Sequence, residues 1–140
     1  MHRGVRRELV TLGLVLLTAG CNNSNSSATT TPTSTTTITE SFGPASLTKN
    51  GAITWTFAIS VGGAVGATLQ TVSPDSSIVV GLDLGTWNGT GCQIVLPNNN
   101  AQQGTSIAGE IQSAGNLCVR VYDVGNVVHP EAVSVVVTHL

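Results

Sequence analysis

The chain has 140 residues, 41% of them hydrophobic but only 9% charged, with a formal net charge of −2 at pH 7. That charged share is far below the roughly 25% of ordinary soluble domains. With only five Lys and Arg residues there is no basic patch to neutralise phosphates, so nucleic acid is not an expected partner.

The first element along the chain is an address. Arg3, Arg6 and Arg7 form a positive n-region, residues 9–17 an apolar h-region, and Thr18, Ala19 and Gly20 lead into Cys21. Residues 1–20 therefore read as a cleavable export signal. The apolar run falls well short of the roughly 20 residues needed to span a bilayer. The surroundings of Cys21 resemble the lipobox of bacterial lipoproteins, in which the cysteine is acylated and becomes the first mature residue. The resemblance implies that acyl chains on Cys21 hold the protein on the lipid bilayer of the bacterial cell envelope, since two or more chains anchor stably. Cleavage after Gly20 by an ordinary signal peptidase would instead release a secreted protein. Past residue 20, Lys49 and Arg120 stand against Glu40, Asp75, Asp83, Glu110, Asp123 and Glu131, so the remaining chain is mildly acidic.

Residues 21–37 form the next segment. From residue 22 onward it is almost all Asn, Ser and Thr, with Pro32 as the only stiffener. Such a stretch cannot bury enough apolar surface to offset the entropy lost on ordering, and it is expected to be a disordered tether. A coil of this length reaches roughly 20 to 25 Å.

Residues 38–140 read as one domain, long enough for a single modest core. Ile53, Trp55, Phe57, Ile59 and Val61 alternate with Thr54, Thr56, Ala58 and Ser60, the signature of a half-buried strand. A first strand is expected at residues 38–42. After the Gly62-Gly63 turn, Val65, Ala67 and Leu69 predict another, and Pro74-Asp75 turns the chain into a strand over 78–84. Cys92, Ile94 and Leu96 follow the Asn88-Gly89 turn. Ile107, Gly109 and Ile111, then Leu117, Val119 and Val121, and finally Val133, Val135 and Val137 complete the set. About eight short strands with Gly and Pro punctuation, and no sustained helical spacing, predict an all-β antiparallel β-sandwich, either jelly-roll-like or immunoglobulin-like in strand order.

With Cys21 assigned to lipid, Cys92 and Cys118 remain in adjacent strand regions of an exported chain, and a disulfide between them is expected. Closing that loop of about 27 residues contributes roughly 3 to 4 kcal/mol in the chain-entropy account. Two cysteines without histidines at ligand spacing do not suit a zinc site.

Three stretches carry a wider likeness. They are residues 53–61, residues 77–96 with Gly81-Leu82-Asp83-Leu84-Gly85-Thr86-Trp87-Asn88-Gly89-Thr90, and Asn116-Leu117-Cys118-Val119-Arg120-Val121-Tyr122-Asp123-Val124-Gly125-Asn126 before a valine-rich end. Together they resemble bacterial pre-peptidase C-terminal (PPC) domains over about residues 38–140. The resemblance implies a jelly-roll-like sandwich serving as an accessory module on secreted proteins, often beside peptidases. Relatives in the broader collagen-binding branch use calcium, which makes Asp75, Asp83 and Asp123 the metal candidates. Their spacing matches no compact calcium loop, and Asp75 also reads as a turn former and Asp83 as an outward strand residue.

Other constellations are thinner. Asp123 and His129 lack the Gly-x-Ser-x-Gly elbow that would make an acyl-transfer triad with a serine. Trp55 shares the alternation of Ile53 and Phe57 and is expected in the core. Trp87, beside Asn88 at a strand end, is the candidate ligand contact, because an exposed indole stacks on sugar rings or apolar side chains. Arg120 is expected to pair with Asp123, Glu110 or another carboxylate at the surface. The expectation is a non-catalytic binding or adhesion module without cofactor, whose ligand is a glycan or an envelope protein. A purely structural envelope domain and a secreted accessory of a proteolytic system are the alternatives.

Overall fold

In a computed structural model, which describes residues 35–140, the alternating stretches become eight strands. They are β1 (Ile38–Leu47), β2 (Ala52–Ile59), β3 (Gly63–Ser73), β4 (Gly81–Trp87), β5 (Cys92–Leu96), β6 (Ser106–Ile111), β7 (Gly115–Tyr122) and β8 (Glu131–His139). The export signal, Cys21 and the tether as far as residue 34 lie outside the described residues. Side chains of a pleated strand point alternately to opposite faces. In β2 this buries Phe57 and Ile59 and leaves Thr54, Thr56 and Ala58 exposed, while in β8 it buries Val133, Val135 and Val137.

The pairing is nested. β4 pairs with β5, β3 with β6, β2 with β7 and β1 with β8, every pair antiparallel. β3 then joins β8, and β4 joins β7, giving two four-stranded sheets ordered β1-β8-β3-β6 and β2-β7-β4-β5. An antiparallel sandwich wound in this way is a jelly roll. Between the sheets, Leu69, Val72, Val133, Val135 and Val137 meet Phe57, Leu82, Leu84, Val119 and Val121, with Val80, Ala101 and Val127 closing the core from the loops. Trp55 points inward but is only half-buried, its ring stacked on Phe42 with centroids 6.2 Å apart.

Two boundaries differ from the sequence pattern. β1 continues beyond residue 42 to Leu47, because its pairing with β8 resumes at Ala45 after a register shift across Gly43-Pro44. The strand expected over 78–84 starts at Gly81 and runs to Trp87; Val80 instead makes an isolated bridge to Ala101, holding the loop after β5 against the sandwich.

Cys92 and Cys118 form a disulfide with Cα atoms 5.7 Å apart. The two strands are not adjacent, since β4 lies between β5 and β7. In a regular sheet, strands once removed stand about 9.6 Å apart, beyond disulfide reach. Here the β4–β5 register shifts between Leu84 and Gly85, and β5 comes so close that a Cβ at Gly85 would strike the Gln93 backbone. The missing side chain at Gly85 is what lets β5 approach, and so lets Cys92 reach across β4.

Candidate functional site

The outer face of the β2-β7-β4-β5 sheet carries an open concavity. β2 contributes Thr56 and Ala58, which the ladder sets opposite Cys118 and Asn116 of β7. β4 ends at half-buried Trp87, and the turn beyond it is held by Asn88. The Asn88 Oδ1 accepts hydrogen bonds from the Thr90 amide (3.0 Å), the Thr90 hydroxyl (3.0 Å) and the Gly91 amide (2.8 Å), while the Asn88 amide donates to the Gly91 carbonyl (3.2 Å). These bonds fix the shape of the turn. The resulting groove, about 660 Å³, is lined by Thr56, Phe57, Ala58, Trp87, Asn88, Gly89 and Asn116.

No lining residue carries a charge. Such a surface offers an aromatic platform, a hydroxyl and amide groups, which suits neutral ligands rich in hydroxyls or peptide groups rather than phosphates or carboxylates. Trp87 and Asn88 are thus brought together, as their adjacency suggested, but Thr56, Ala58 and Asn116 were not singled out in the sequence. Their place in the groove follows from the β2–β7 register, which leaves no local signal.

Asp75, Asp83 and Asp123 are each engaged separately. Asp75 Oδ1 accepts from the Ser77 amide (2.9 Å) and hydroxyl (2.6 Å), and these bonds, the hydroxyl's first, hold its carboxyl below the usual carboxylate range. Asp123 Oδ2 accepts from the Asn50 amide (2.8 Å), and Oδ1 from the amides of Gly125, Asn126 and Val127. Those donors, Asn50 and Val127 foremost, lower its pKa to about 2. Among the described residues, no three His, Cys, Asp or Glu side chains gather where they could hold a metal ion. His129 is exposed, and Asp123 spends both oxygens on backbone amides rather than on an imidazole.

Asp83 is the surprise of the three. It lies on the outer face, as an alternating strand residue should, yet it is only 1% exposed. Arg120, opposite it on β7, donates from Nε (3.1 Å) and Nη2 (2.7 Å) to Asp83 Oδ2, and the Asn98 amide approaches Oδ1 at 3.4 Å. The Arg120 guanidinium also sits 4.6 Å from the Tyr122 ring centre. Tyr122 lies over Gly81, where any Cβ would collide with the ring, and its hydroxyl donates to Asn99 Oδ1. Burial, and then the Asp83 charge, push the Tyr122 phenol above its ordinary range. The expected partners Asp123 and Glu110 are not the ones Arg120 uses, and the pair is half-buried rather than a surface contact.

At one end of the core, buried His139 stacks on Phe57 with centroids 5.6 Å apart and bonds Glu40 Oε1 through Nε2 (2.9 Å) and the Leu140 carbonyl through Nδ1 (3.0 Å). Burial disfavours the imidazolium, but the Leu140 and Glu40 acceptors outweigh it, and the pKa lies above its ordinary value. Neither Glu40 nor His139 stood out in the sequence, although His139 continues the valine alternation of β8 by one step.

The chain matches no protein-family model and no curated protein.

Proposed function

We propose that the protein is a non-catalytic binding module of the bacterial cell envelope, carried on acylated Cys21 and its Asn/Ser/Thr-rich tether. It takes a neutral glycan, or an uncharged loop of an envelope protein, in the groove at Trp87. The observation that carries this reading is the uncharged lining around a half-buried indole on an outer sheet face. An indole with one face free gains from stacking on the C–H face of a sugar, and neighbouring amides and hydroxyls give orientation. Kinship with PPC domains belongs to the same proposal and rests on the motifs over residues 53–61, 77–96 and 116–126. The sandwich itself does not decide it, because unrelated families share that fold.

A glycan array followed by calorimetry on the best ligand tests the groove. Trp87→Ala is expected to weaken binding at least tenfold while the melting temperature stays within a few degrees of the parent. Equal binding by the variant would remove the groove from consideration. Intact mass measurement of protein extracted from membranes tests the anchor, and Cys21→Ser is expected to move the chain into the soluble fraction.

A further inference from the structure

We propose that the free edge of β2 pairs with β2 of a second copy of this chain, joining two sandwiches into a symmetric dimer through one continuous sheet. The inference does not depend on the groove's ligand.

The sandwich has four sheet edges, at β1, β6, β2 and β5. Exposed edges invite pairing with another chain, and proteins blunt them with proline, charge, bulges or short strands. β1 has Glu40 and a register break at Gly43-Pro44. β5 is only five residues long and its register shifts at Leu84/Gly85. β6 is six residues long and carries exposed Glu110. β2 has none of these devices: its eight residues, Ala-Ile-Thr-Trp-Thr-Phe-Ala-Ile, contain no charge, proline or glycine, and pair with β7 in unbroken register from Ala52 to Ile59. In an antiparallel ladder every second residue turns its N–H and C=O away from its neighbour strand. Among the described residues, no backbone hydrogen bond other than the β7 ladder involves residues 52–59.

Two features favour a second copy as the occupant. First, the strand is self-complementary. A two-fold axis at Thr56 sets Trp55 opposite Phe57, Ile53 opposite Ile59 and Thr54 opposite Ala58, so aromatic meets aromatic on the inner face and no like charges oppose each other. Second, Ile53 and Trp55 are only partly buried although they point into the core, and the partner's inner-face side chains would cover them. Edge pairing alone buries an area at or below the low end of specific interfaces, so the association should be reversible, with dissociation in about the micromolar range.

The test is the protein mass of the full chain, produced in an exporting bacterium and purified in detergent, by size-exclusion chromatography with light scattering. Wild type should rise from one to two chain masses with increasing concentration. Thr56 is exposed, so Thr56→Lys and Thr56→Glu should keep the parent's fold by circular dichroism; each alone should be a monomer. Mixing the two should restore the dimer, since opposite charges then face each other across the axis. Wild type that stays monomeric up to hundreds of micromolar would overturn the proposal and leave the edge to an extended peptide. Dimers that persist in Thr56→Lys would overturn it too, by placing the contact elsewhere.

Discussion

Removing Arg120 should damage this protein far more than neutralising its partner. Asp83 is 1% exposed and relies on Arg120 for two bonds to Oδ2, its other partner being the Asn98 amide at 3.4 Å. Arg120→Met strands a buried carboxylate, a loss worth about 3 to 5 kcal/mol. Asp83→Asn removes the charge but keeps an acceptor near Asn98, and Arg120, with 34% of its side chain exposed, can hydrate its guanidinium. That exchange should cost only about 1 to 2 kcal/mol. At roughly 4 to 8 °C per kcal/mol for a domain of this size, the arginine variant should melt at least about 12 °C below wild type, and the asparagine variant about 4 to 16 °C below. Asp83→Leu combined with Arg120→Met should recover most of the loss, because no buried charge is left. Urea and thermal unfolding followed by circular dichroism at pH 7 measure all four proteins. An arginine variant within about 1 kcal/mol of wild type, or an asparagine variant that is the worse of the two, would refute the asymmetry.

Replacing Cys92 and Cys118 by serine, or reducing them, opens a link across 26 residues of sequence and should lower stability by about 3 kcal/mol in denaturant titration; a loss below about 1 kcal/mol would show that the closed loop contributes little. Because the folded-state pKa of His139 lies above its unfolded value, its contribution is complete below about pH 6.5 and fades as pH rises through the folded value. The melting temperature of wild type should therefore fall between pH 6 and 8, and His139→Gln should flatten that slope. Asp123 has the opposite sign: with its folded pKa at about 2, it stabilises above the ordinary carboxylate range and loses that contribution as pH falls from about 4 toward 2. Asp123→Ala should destabilise by about 1 kcal/mol at pH 7, a small value because its donors can turn to water, and less at pH 2.5.

Much of the strand content was open to local reading. The alternation of Ile53, Trp55, Phe57 and Ile59, and of Val133, Val135 and Val137, depends only on the two-residue period of a strand, and both runs emerge as strands with buried inner faces. The turn at Asp75 was legible for the same reason, since its carboxylate bonds Ser77 two residues on. The first strand was expected over residues 38–42, but pairing with β8 carries β1 on past Gly43-Pro44 to Leu47. The site was half legible: Trp87 and Asn88 are neighbours in the chain, whereas Asn116 joins them only through the β2–β7 register.

From the chain alone came the local chemistry: which residues form strands, where turns fall, and that Cys92 and Cys118 were candidates to pair. Tertiary structure alone decided the winding of the strands into a jelly roll, with Ile38 set opposite His139. It also chose Asp83 as the partner of Arg120, and the passage of Cys92 over Gly85 to Cys118. The physical reason is range. Side-chain alternation is set by each residue and its immediate neighbours, but strand order and register are set by how two whole inner faces pack, and residues far apart in sequence meet only after that packing is complete.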